Sequence, residues 1–142
     1  MKVAALSDIH GNLPALQAVM AHIDYWSPDV VVVGGDIITR GPMSGKCLDL
    51  LIDRRQRDGW HLLRGYHEEF VLDCENPLQP RTGPAYELRQ FAHFALRQVD
   101  DKVDMIKALP DIYEYLAPDS QLLRVVHASM RSNRDGIYPM TG

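Results

Sequence analysis

Asp8 and His10 stand two residues apart in the run Asp8-Ile9-His10-Gly11-Asn12, which ends the first apolar stretch of the chain. A strand that stops there points both side chains to the same side of its end. A carboxylate oxygen beside an imidazole nitrogen suits Mn, Fe, Zn or a similar divalent metal. Taken alone, the pair fits a polar strand end with a solvated imidazole better than a metal site. What gives it weight is recurrence: Asp36 follows Gly34-Gly35, His67 sits within Arg64-Gly65-Tyr66-His67-Glu68-Glu69, and His127 opens His127-Ala128-Ser129.

These residues need elements to position them, and the hydrophobic pattern supplies a candidate for each. Val3 to Leu6 reads as a buried strand. Asn12 caps a helix that tolerates Pro14 in its first turn, carries Leu13, Leu16, Val19, Met20 and Ile23 at helical spacing, and stops at Pro28. Val30-Val31-Val32-Val33, without polar alternation, predicts a strand buried on both faces, as in a parallel sheet. A second helix is expected over Ser44 to Asp58, closed by Gly59, and a third strand over Trp60 to Leu63. The order β-α-β-α-β implies right-handed crossovers and a parallel sheet. All three strands end in glycine-bearing turns with charged or histidine residues, and open α/β sheets collect ligands beyond the carboxyl ends of their strands. Downstream, residues 75 to 84 read as loop, Ala85 to Val99 and Lys102 to Leu109 as helices. Ile112 to Leu116 and Leu122 to Val126 read as an antiparallel pair around Ala117-Pro118-Asp119-Ser120, and 131 to 142 as loop.

Composition sets the class. The 142 residues, 46% of them hydrophobic, suit one domain over 1–142 with a real core. A net charge of −4 argues against non-specific nucleic-acid affinity. Cys47 and Cys74 have no paired spacing and read as reduced structural thiols. With no signal segment and no apolar run long enough to span a bilayer, the expectation is a soluble, cytoplasmic protein without a membrane partner.

Together, Asp8-Ile9-His10, Gly35-Asp36 with Arg40-Gly41-Pro42, Arg64-Gly65-Tyr66-His67-Glu68 and His127-Ala128-Ser129 resemble the calcineurin-like metallophosphoesterase superfamily. The likeness extends to its Ser/Thr-phosphatase-like or diadenosine-polyphosphatase-like branch and covers nearly the whole chain. The resemblance implies an α/β fold, a metallophosphoesterase-type α/β/β/α sandwich. It implies two divalent ions, with Mn the first choice among Mn, Fe, Zn, Ni and Co. Asp8 and His10 would hold one metal, Asp36 would bridge both, and His127 would hold the second. His67 would protonate the leaving oxygen, and Arg40 and Arg64 would grip the phosphate of a phosphate-ester substrate. The implied reaction is ester hydrolysis by attack of a metal-bridged hydroxide. Two cations about 3.5–4 Å apart acidify such a water and neutralise phosphate charge.

The sequence departs from the family pattern twice. Where the family has Asn in its third motif, this chain has Tyr66. A phenol is larger and must lose its proton to ligate well, so Tyr66 binds as phenolate, swings outward, or blocks the second site; a weakened second site is favoured. The Gly-His-x-His motif that completes both metal shells in the family is absent from the sequence. The expectation is therefore a C-terminally incomplete sandwich, truncated or naturally shortened, whose exposed edge or apolar face invites a homodimer or swapped assembly. A catalytically impaired relative, acting in metal or phosphate binding or in protein interaction, is the alternative to an active phosphoesterase.

Each residue also has an ordinary reading. Asp36 after Gly-Gly could cap a turn, Arg40 and Arg64 could be surface arginines, and Glu68 and Glu69 could cap or lead a following helix. His22, His61 and His93 fit no motif. Phe91 and Phe94 are expected in the core, not in a base-stacking platform.

Overall fold

A computed structural model describes residues 1–118 and 120–136; Asp119 of the turn at 117–120, and 137–142 of the last predicted loop, lie outside the described residues. Strand β1 (Val3–Leu6) is followed by helix α1 (Leu13–Trp26), β2 (Val30–Val33), α2 (Ser44–Asp58) and β3 (His61–Leu62). The three strands form one parallel sheet in the order β1-β2-β3, with Leu6 opposite Val33 and Val33 opposite Leu62. Their carboxyl ends are therefore level, so the three glycine-bearing turns meet in space.

Local chemistry explains the boundaries. Asn12 accepts the Ala15 N–H through its side-chain oxygen at 3.2 Å, and Pro14 sits in the first turn of α1. Gly59 ends α2 in the left-handed region at φ 70°. The four valines of β2 are all buried, and their alternation divides them between two clusters. Val31 and Val33 pack with Leu16, Leu48 and Leu51 of the helices. Val30 and Val32 pack with Leu63, against Tyr113, Tyr115 and Val125. Burying a valine contributes about 1.5–3 kcal/mol, and β2 does so toward both neighbouring layers.

The second neighbouring layer is a hairpin of β4 (Ile112–Leu116) and β5 (Leu122–Val126), antiparallel with Glu114 opposite Arg124. Between β3 and this hairpin lie α3 (Tyr66–Leu72), α4 (Pro84–Glu87), α5 (Gln90–Val99) and α6 (Val103–Lys107). Helices, parallel sheet and hairpin make three layers of a mixed α/β sandwich. On the outer face of the hairpin Ile112, Leu116 and Leu122 are exposed. No described helix is long and apolar enough to cross a membrane.

Several expectations need correction. The third strand is shorter than Trp60 to Leu63. The helix expected from Ala85 to Val99 is two helices, because Arg89 leaves helical geometry at φ −99°, ψ 0°. There Arg89 pairs with Asp73 at 3.0 Å and lies 4.6 Å over the Phe70 ring, so tertiary contacts override helix propensity. The turn at 64–69 becomes α3, which local sequence did not delimit. Phe91 and Phe94 are 37% and 45% exposed, outside the core where they were expected.

Candidate metal centre

The turns after β1 and β2 run side by side and are laced together through the backbone. Asp8 N–H donates to Gly35 O at 3.1 Å, His10 N–H to Asp36 O at 2.9 Å and Gly11 N–H to Ile37 O at 2.9 Å. Asp8, His10, Asp36 and Arg40 all take positive φ, between 49° and 57°. For residues other than glycine this costs on the order of 1 kcal/mol each, a cost met where the surroundings over-determine a functional geometry. The turn after β3 closes in from the other side. A Cβ on Gly35 would lie 2.5 Å from Gly65 N, and one on Gly65 would collide with the Asp36 carboxylate. Glycine at both positions lets the two turns touch.

Asp36, 4% exposed, occupies the centre. Its Oδ2 lies 3.8 Å from His10 Nε2 and its Oδ1 lies 3.4 Å from His127 Nε2, so its two oxygens face two different imidazoles. Asp8 Oδ1 is 3.7 Å from the same His10 nitrogen, and the Ser7 hydroxyl donates to the other Asp8 oxygen. Both histidines are anchored from behind. His127 Nδ1 meets Gly34 O at 2.8 Å, and His10 Nδ1 lies 3.4 Å from Ile38 O. A carbonyl on Nδ1 fixes the tautomer and aims Nε2 inward, the usual backing of a metal-ligating histidine. The donor set therefore fits divalent cations: Asp8, His10 and Asp36 on one side, Asp36 and His127 on the other. Ligand atoms of His10, Asp36 and His67 also lie within 4.8 Å of one another.

His67 is 6% exposed at the start of α3. Its Nδ1 is 2.7 Å from Thr39 Oγ1 and its Nε2 is 3.3 Å from a guanidinium nitrogen of Arg40. Arg40 can only donate, so in this arrangement Nε2 accepts and Nδ1 carries the proton toward Thr39. Burial lowers the His67 pKa; the Asp36 carboxylate opposes this, while His10, Arg40 and His127 add to it. The two arginines part here. Arg64 is turned to Asp111, with which it makes paired bonds of 3.0 and 2.9 Å, and donates a third to Lys107 O at 3.1 Å.

Tyr66 forms part of the wall through its ring, which lies 5.4 Å from the His67 ring and 5.9 Å from Phe70, with the Arg134 guanidinium 5.1 Å above it. Arg134 is itself tied to Glu69 at 3.2 Å. Asn133 bridges Glu69 and Asp111 at 3.0 and 3.1 Å, pinning the segment after β5 beside the site.

Two contributors were not legible in the sequence. Thr39 orients His67. Glu68, 1% exposed, accepts N–H bonds from Gly65 and Asp36 at 2.8 Å each, and from Ile37 and Ile38 at 2.8 and 3.2 Å. Burial raises its pKa, and backbone bonds, led by that from Gly65, oppose the rise. The cap position explains only the Gly65 bond. The other three join the turn after β2 to that after β3, a contact 30 to 32 residues apart that no local pattern encodes.

The comparisons with known proteins agree with this fold. A hypothetical protein of Pyrococcus horikoshii OT3 has a solved structure that superposes with a TM-score of 0.78 at 16% identity, over 99% of this chain and 60% of that one. A metallophosphoesterase from Sphaerobacter thermophilus gives 0.68 at 25% identity, over 97% and 51%. A protein described only provisionally as a diadenosine tetraphosphatase gives 0.61 at 21% identity, over 90% and 55%. The chain thus spans about half to three-fifths of the length of these structures. The profile of the calcineurin-like phosphoesterases matches residues 1–129, and the chain belongs to that family.

Proposed function

We propose that the chain carries the metal-dependent centre of a phosphoesterase. The observation that supports this best is the buried Asp36 carboxylate, whose oxygens separately face His10 and His127 while carbonyls back both rings. Asp8, His10 and Asp36 would hold one divalent ion, and Asp36 and His127 the second, with Mn the first metal to try. When bound, two such ions supply charge neutralisation for the phosphate and an acidified water for in-line attack.

The protein's own groups do the rest. Arg40, exposed at the mouth, offers a planar fork to two phosphate oxygens. Its turning toward phosphate frees His67 Nε2 to take up a proton from solvent, and the imidazolium so formed gives that proton to the leaving oxygen. Thr39 accepts from Nδ1 throughout and keeps the ring in place. Arg64 is the second phosphate-gripping candidate and must leave Asp111 to act. The test is metal content together with hydrolysis of bis-p-nitrophenyl phosphate and p-nitrophenyl phosphate by the Mn-treated protein and by Asp36→Asn. Bound Mn and turnover, both abolished in the variant, are expected; turnover that survives Asp36→Asn sinks the reading.

A second reading, an impaired relative that binds metal or phosphate or acts through protein contacts, draws on Tyr66 in the Asn position and on the engagement of Arg64 by Asp111. Tyr66→Asn separates the two: a several-fold rise in turnover marks a site built for chemistry, and no change favours the impaired relative. Two buried free thiols, Cys47 and Cys74, suit a reducing cytoplasmic setting. The apolar outer face of the hairpin suits a homodimer or swapped assembly, and a monomer by light scattering at high concentration removes that expectation.

A further inference from the structure

Phe91 is an apolar side chain left 37% exposed on a helix whose Ala92, Ala95 and Val99 are completely buried. It does not stand alone. Its ring stacks on Phe70 at 5.5 Å and 13° and lies 6.1 Å from the His67 ring. Phe70 is fixed from another side by the Arg89 guanidinium, 4.6 Å over its ring, and Arg89 is held by Asp73. Tyr66, 5.9 Å from Phe70 and 5.4 Å from His67, continues the same wall. Three aromatic rings therefore flank the histidine, whose ring also meets that of His10 edge-on at 4.8 Å.

Under the phosphoesterase reading, on which this inference rests, His67 protonates the oxygen of the departing group. Whatever that oxygen carries must then lie beside His67, where Arg40 is the charged neighbour and Phe91, part-exposed and 6.1 Å from the imidazole, is the aromatic one. Aromatic faces reward planar aromatic partners beyond simple area burial, and a ring already packed and clamped loses little freedom when a ligand stacks on it. We propose that Phe91, supported by Phe70, is a specificity-determining residue that selects phosphate esters whose departing alcohol carries a planar aromatic ring, as the base of a nucleoside or as a simple aryl group.

The test is equilibrium binding to the Mn-treated full chain of phenylphosphonate against methylphosphonate, and of adenosine monophosphate against ribose 5-phosphate. Each pair shares its anionic head and differs in the aromatic part. A preference of about three- to tenfold for the aromatic member is expected from one stacking contact. Phe91→Ala should erase it and Phe91→Tyr should retain it, with ligand-induced shifts of the Phe91 ring protons as a second readout. Preference in both pairs assigns the wall to nucleosides as well as aryl groups; preference for phenylphosphonate alone assigns it to small aryl groups. Equal affinities in the unmodified protein, or a preference that survives Phe91→Ala, overturn the proposal while leaving the phosphate site standing. Failure of all four ligands and of inorganic phosphate to bind overturns the phosphoesterase reading and this inference with it.

Discussion

The ends of the parallel sheet and the hairpin beside it place their candidate metal ligands with unequal means. At the sheet ends, Asp36, Thr39, His67 and Glu68 are at most 6% exposed and locked by short backbone and side-chain bonds from three turns. The hairpin delivers His127 on a two-stranded unit that packs through one face, with Tyr113, Tyr115 and Val125 inward and Leu116 and Leu122 outward. One half of the centre is thus over-determined by a buried network. The other depends on a docked ribbon, on the bond from His127 to Gly34 and on part-exposed contacts of Asn133 and Arg134 further along the chain. A two-stranded ribbon has little stability of its own, so the second half of the site should be the easier one to loosen.

The sharpest break in that contrast is Glu68→Ala. It leaves four buried N–H groups without their acceptor and should cost at least about 3 kcal/mol in urea unfolding. Glu68→Gln should fall between, because an amide offers one accepting oxygen where the carboxylate uses two. A loss under about 1 kcal/mol would mean the turns are held by other bonds.

His127→Ala tests the opposite half. It should weaken binding of the second metal equivalent about 10- to 100-fold in Mn titration calorimetry, while the first equivalent stays near its original affinity. Equal loss of both equivalents would show that the halves are not separable.

Acid should act on the helical side. His93 is 8% exposed on α5, and its Nε2 has no protein hydrogen-bond partner among the described residues. Burial lowers its pKa, and Arg81, Arg97 and Arg89 add to the effect. The unfolded chain protonates His93 below about pH 6.5 while the folded chain resists. The unfolded state then binds more protons, and stability falls as pH drops below that value. His93→Phe should flatten the decline between pH 7.5 and 5.5 in denaturation curves of the metal-free protein, leaving the shares of His61 and His67, which burial also lowers. An unchanged slope would exclude His93 as a source.

The smallest effect belongs to the outer hairpin face. Leu122→Ser, at a position 54% exposed, should change monomer stability by less than about 0.5 kcal/mol yet lower any dimer fraction seen by light scattering. A large destabilisation would show that this face is already packed in the monomer.

Much of this arrangement is legible in the chain itself. The all-valine run at 30–33 specifies a strand buried on both faces. The helix over Ser44–Asp58 with Gly59 behind it, and both hairpin strands, follow from apolar period and turn chemistry. The type and order of Asp8, His10, Asp36, His67 and His127 mark a candidate metal centre, because side chains beyond the carboxyl ends of parallel strands converge, here with His127 brought in by the hairpin. Other features depend on groups distant in sequence. Glu68 clamps a turn some 30 residues earlier, Asp111 engages Arg64 from 47 residues away, and Arg89 breaks a helix to reach Phe70 and Asp73. Phe91 has the same apolar character as a core residue, and only the packing of α5 against α3 leaves it part-exposed beside His67 and Phe70. Local propensity and periodicity act within one or two turns of chain. Which partner a charged or aromatic side chain meets is set by the distances between folded elements, and that is decided in three dimensions.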